Sequence, residues 1–76
     1  MKEKIIYALQ HSENTNIFDT SVIFENKLTG KVSFFNGLIG DFDFIKRSVF
    51  EELLSDGIIT MELCICEGEN RYILAR

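Results

Sequence analysis

Apolar and polar positions recur with two different periods along the chain. The opening segment EKIIYALQH carries Ile5, Tyr7 and Leu9 at every second position, the period of a strand, although Ile5, Ile6 and Leu9 also share one helical face. Its β-branched and aromatic content, followed by the polar cluster SENTN, favours a strand ending in a turn.

The stretch TSVIFENKLTGKVSFFN holds two β-rich runs around Lys27-Leu28-Thr29-Gly30, where glycine supplies the left-handed residue of a bulged hairpin turn. Pairing Lys27 with Lys31 sets Phe24 opposite Phe34 and Asn26 opposite Val32. Val22, Phe24, Val32 and Phe34 then form a core face. The opposite face carries Glu25, Lys27, Lys31 and Ser33, together with Ile23 and Phe35, which is more apolar surface than a solvated face holds.

DFDFIKRSVFEELLSDG changes period. Phe42, Ile45, Val49, Leu53 and Leu54 recur at steps of three and four and predict a helix over residues 42–56. Asp41 or Asp43 can cap its start, and Gly57 fits the left-handed position past its end, with Ile58 packing back on Leu53. After it Met61, Leu63 and Ile65 alternate with Thr60, Glu62, Cys64 and Cys66, and Gly68-Glu69 fits a two-residue turn. That register pairs Cys66 with Arg71, Ile65 with Tyr72 and Leu63 with Leu74, so that Met61, Leu63, Ile65, Tyr72 and Leu74 share one side.

The expected fold class is therefore α+β: a small antiparallel sheet of about five strands, in the order strand, strand, strand, helix, strand, strand, packed on one amphipathic helix. With a helical first segment the layout becomes helix, hairpin, helix, hairpin. Proline, low-complexity tracts and linkers are missing from the sequence, so residues 1–76 read as one compact domain.

Composition narrows the chemistry. Hydrophobic residues are 46% and charged residues 26% of the chain, which excludes a wholly disordered polymer. The formal net charge of -4, with basic residues scattered, argues against nucleic acid as the ligand and favours another protein with a basic surface. No run is long and apolar enough for a bilayer, and MKEKIIYALQHSE is too polar for a signal peptide, so a cytoplasmic location without a membrane partner is expected.

Cys64 and Cys66 would lie on one strand face with Cα atoms about 6.6 Å apart and parallel side chains, poorly placed for a disulfide. They read as small hydrophobes. His11, the lone histidine, has no recognisable nucleophile or second ligand pair near it. Capping accounts for Asp41 and Asp43, and FFNGLIGDFDF lacks a phosphate-loop pattern. No catalytic residue, metal or cofactor is expected.

What remains is surface. Glu51, Glu52, Asp56 and Glu62 form a candidate acidic rim around aromatic anchors such as Tyr72 and Phe50, while Ile23 and Phe35 mark a sheet face in need of cover. These residues point to a small acidic, non-enzymatic protein-binding module. Richness in Asn, Ile, Lys and Phe suggests a bacterial or phage product, such as a mobile-element-encoded inhibitor of a host enzyme or defence complex. The alternative is a homodimeric small-ligand-binding sensor, with Ile23 and Phe35 buried between the two copies.

Overall fold

A computed structural model describes residues 2–12, 19–62 and 68–75 of the chain. Helix α1 (Lys2–His11) opens it, followed by strands β1 (Val22–Asn26), β2 (Val32–Asn36) and β3 (Asp41–Ile45). Helix α2 (Arg47–Ser55) leads to β4 (Ile59–Glu62) and β5 (Glu69–Leu74). The five strands make one antiparallel sheet in the order β3-β2-β1-β5-β4. The fold is α+β, with two helices instead of one.

The first segment is thus a helix, and Tyr7 shows why the alternation misleads. Ile5, Ala8 and Leu9, at steps of three and four, are the residues buried against the sheet. Tyr7 is 58% exposed and stacks on His11 one turn later, with ring centroids 4.0 Å apart.

Both hairpins of the β1-β2-β3 meander use one device. Asn26 accepts the Leu28 and Thr29 amides on its side-chain oxygen, and the Gly30 amide donates to the Asn26 carbonyl at 2.8 Å. Ten residues on, the Asn36 side chain accepts the Leu38 amide, and Gly40 donates to the Asn36 carbonyl, again at 2.8 Å. Gly30 and Gly40 have φ of 73° and 67°, the left-handed conformation that closes each four-residue loop. The sequence thus repeats Asn-x-Leu-x-Gly at positions 26–30 and 36–40.

That turn sets a different register from the expected one. Because Asn26 itself begins the turn, its amide bonds to the Lys31 carbonyl and Ile23 falls opposite Phe34, with Phe24 opposite Ser33. A slip of one residue exchanges the faces. Ile23 is consequently fully buried in the core, and Phe24 moves to the outer face beside Phe35.

Asp41–Ile45 is also a strand, where a helix start is expected from the apolar spacing. Asp-Phe-Asp-Phe-Ile alternates strictly and pairs with β2, Phe35 facing Phe42 and Phe34 facing Asp43. Helix α2 begins only after Lys46, whose side chain makes no cap hydrogen bond, so neither Asp41 nor Asp43 is the cap. Its end follows expectation: Gly57 has φ 72°, and the amides of Ile58 and Gly57 donate to the carbonyls of Leu53 and Leu54 in a Schellman stop.

The last two strands pair Ile59 with Leu74 and Met61 with Tyr72, four residues away from the expected register. An even shift preserves the faces, and Glu69, expected in a tight turn with Gly68, is instead the first residue of β5, paired with Asn26. The expected places of Cys64, Cys66 and the apolar partners Leu63 and Ile65 lie outside the described residues.

Both helices pack on the same sheet face. Ile5, Ala8 and Leu9 of α1 and Phe50 and Leu53 of α2 join Ile23, Val32, Phe34, Ile45, Ile59 and Tyr72 in one cluster. One row runs straight across the sheet beneath them, Met61-Tyr72-Ile23-Phe34-Asp43. Its centre is core and its two ends, on the edge strands, are exposed.

Candidate functional site

The next row points the other way. Glu62, Arg71, Phe24, Ser33 and Phe44 follow one another across β4, β5, β1, β2 and β3 on the face that neither helix covers. Arg71 pairs with Glu62 at 3.3 Å and sets its guanidinium 5.8 Å from the Phe24 ring centre. Phe42 stacks on Phe24 at 5.8 Å and meets Phe35 at 6.1 Å. Four phenylalanines from three adjacent strands therefore make one aromatic surface. Phe42 is 56% exposed and Phe44 72% exposed, while Phe24 and Phe35 are half-buried. Isolated exposed apolar side chains are ordinary, but an aromatic patch on a sheet face that neither helix covers is what interfaces are made from.

Of the residues singled out in the sequence, Phe35 and Glu62 lie on this outer face. Ile23 and Tyr72 do not. They are neighbours in the buried row, and Phe50 joins them, its ring edge-on to Tyr72 at 4.9 Å. The expectation that Ile23 is outer-face surface is corrected by the Asn26 turn, and Tyr72 and Phe50 are core rather than rim anchors.

Glu51 and Glu52 on α2 and Asp56 just past its end are exposed, on the helical side of the sheet. Each has a cation close by. Glu51 lies 3.3 Å from Arg47, and Lys2 reaches Asp56 at 2.9 Å and Glu52 at 3.5 Å. The Lys2 pKa is raised, chiefly by its hydrogen bond to Asp56. Such exposed pairs add little stability, yet they partly neutralise the acidic rim and tie α1 to the end of α2.

The helical side also contains a polar hub. Glu25 accepts from Arg47 at 2.7 Å, Asn70 at 3.2 Å and the Tyr72 hydroxyl at 3.1 Å, and Arg47 also donates to the Gly30 carbonyl. Burial pushes the Glu25 carboxyl up, but the hydrogen bonds from Arg47, Asn70 and Tyr72 outweigh it and hold its pKa below the ordinary 4.5. Tyr72 is raised, by burial first and by Glu25 second. The hub locks the start of α2 onto β1 and β5, a structural role.

A lowered carboxyl pKa stabilises the fold above the ordinary value and loses that contribution as pH falls through the folded one. Glu25→Gln keeps the shape and removes the charge. It is expected to cost about 1 kcal/mol near neutral pH. In urea titrations at stepped pH, the wild-type and variant curves should converge in acid, below pH 4.5. A gap that stays constant into acid would remove Glu25 as its source.

Among the described residues, no group of three or more His, Cys, Asp or Glu is disposed to hold a metal ion, and no helix is long and apolar enough to cross a membrane. His11 ends α1 with Nδ1 2.9 Å from the Tyr7 carbonyl and its ring on Tyr7. Phe42 and Phe44 escape a sequence reading that takes Phe42 for a helical core residue; the Asp-Phe-Asp-Phe alternation after the second Asn-x-Leu-x-Gly turn is the signal that places them. Comparison with family models, with curated proteins and with solved structures gives no match for this chain.

Proposed function

We propose that the chain is a non-enzymatic protein-binding module and that its docking surface is the outer face of the sheet around Phe42 and Phe44. The observation that supports this most directly is that both rings stand more than half exposed beside two further phenylalanines, on a face left open by both helices. Aromatic anchors in such a patch, with the Arg71–Glu62 pair at its far end, have the composition of an interface centre and rim. This reading moves the contact surface away from the acids of α2, whose neighbours Lys2 and Arg47 already draw on their charge.

The test is affinity capture from an extract of the source cells, with three baits run in parallel. Phe42→Ser/Phe44→Ser should lose at least about nine-tenths of the captured partner, as expected when interface anchors are removed. Reversal of Glu51, Glu52 and Asp56 to lysine should leave most of it. Full retention by the serine variant, with loss on charge reversal, would transfer the site to α2 and defeat the aromatic-surface reading.

A further inference from the structure

We propose that β3 is the docking edge and that its partner is an extended segment in which basic residues alternate with apolar ones, added to the sheet as a sixth strand. This rests on the protein-binding reading above and gives the partner its chemistry.

Among the described residues β3 has a strand neighbour on one side only, β2. Its backbone shows how the other side is kept. The Phe42 and Phe44 amides donate to the Asp41 and Asp43 carboxylates at 3.0 and 3.1 Å. Amides satisfied by the preceding side chain are not spent on β2, and in an antiparallel pair the amides left over on alternate residues face away from it. The outer edge of β3 therefore offers the backbone groups of Phe42 and Phe44. No proline interrupts the strand, and every β3 position pairs with β2 in unbroken register, so the edge lacks two common protections. The acids supply another.

Those acids also select the occupant. Asp41 and Asp43 share one face of β3, Phe42 and Phe44 the other, and all four are exposed. An added strand keeps the alternation, so its side chains fall by turns beside the carboxylates and beside the rings. Lysine or arginine next to the acids and a β-branched or aromatic residue next to the rings are the favourable cross-strand pairs. As an incoming carbonyl takes over the Phe42 amide, the released carboxylate gains a cation. A second copy of this chain is the wrong partner, because two-fold antiparallel pairing of β3 with itself sets residues of the same face opposite one another, acid against acid.

The probe is a nine-residue peptide of alternating lysine and valine with blocked termini, titrated into the labelled protein while backbone amide resonances are followed. The Phe42 and Phe44 amides should shift most. Asp41→Asn/Asp43→Asn, which retains the side-chain oxygens but not the charges, should weaken binding about tenfold with the spectrum outside β3 unchanged. N-methylation of the valines, whose amides face Phe42 and Phe44, should abolish binding, whereas N-methylation of the lysines should change it by less than about threefold. A glutamate-valine peptide should not bind. Equal binding of that peptide, shifts centred away from β3, or indifference to the asparagine variant would each overturn the inference. If capture depends on Phe42 and Phe44 while the lysine-valine peptide fails, the surface reading stands and the edge falls; peptide binding with capture indifferent to both rings gives the opposite result.

Discussion

Phe50→Ala is expected to remove about 3–5 kcal/mol of folding stability, the usual cost of deleting a fully buried ring. Phe50 is 1% exposed, lies edge-on to Tyr72 and supports the Arg47 guanidinium 5.7 Å from its ring centre. It is the largest side chain α2 contributes to the core, and Leu53 is the other fully buried one. Truncation leaves a hole between α2 and β5 that neither can close without breaking the Glu25 hub. Chains of 76 residues have a total stability of roughly 4–11 kcal/mol, so the loss takes a substantial part of it, and from the lower end of that range leaves the variant partly unfolded at room temperature. Urea denaturation followed by circular dichroism gives the number. The same chemical change at Phe44, 72% exposed, should stay within about 0.5 kcal/mol. Comparable losses at the two positions would mean that the faces are assigned the wrong way round.

The face assignments are the part of the fold that was hardest to read from the chain. The pairing of β1 with β2, the C-terminal stop of α2 and the α+β class follow from local chemistry: a period of two in Val22–Asn26 and Val32–Asn36, and a glycine at position 57 that can turn left-handed. Which face is buried depends on one register number. Asn26 decides it by folding its side chain over the Leu28 and Thr29 amides, and a turn one residue longer or shorter would have inverted the sheet. A second Asn-x-Leu-x-Gly stretch ten residues later carries the same information twice, and noticing it places Asp41–Ile45 as a strand paired to β2.

Two misreadings share one physical cause. In EKIIYALQH and in DFDFIKRSVF, apolar residues occur at spacings that satisfy both periods, and tertiary burial chooses between them. At α1 the sheet buries Ile5, Ala8 and Leu9 and leaves Tyr7 outside; at β3 the open edge of β2 takes the alternating residues before α2 can extend backwards. The candidate site inherits this. Its two most exposed rings belong to the segment whose conformation the pattern leaves ambiguous, whereas Phe35 was recognisable as surplus apolar surface in either register.

The sharpest local test of the β2-β3 connection is Gly37→Ala, expected to cost about 3 kcal/mol or more. Gly37 has no left-handed backbone to explain its identity; closeness does. A Cβ there would sit 2.4 Å from the carbonyl carbon and 2.5 Å from the carbonyl oxygen of Asp19, and 2.8 Å from the carbonyl carbon of Thr20. These are backbone atoms and cannot rotate aside. They are held in place because the Gly37 amide donates to Ser21 Oγ at 2.9 Å, and the buried Ser21 hydroxyl is in turn bonded to Ser12 at the end of α1. A methyl group must therefore push the turn away from the approach to β1 and leave buried polar groups short of partners. Gly40→Ala is the control. Its φ of 67° costs about 1 kcal/mol for any L side chain, and nothing lies within 4 Å of the added atom. Denaturation midpoints of the two variants should thus differ by at least twice the shift seen for Gly40→Ala; equal shifts would show that residues 19–21 do not close over the turn.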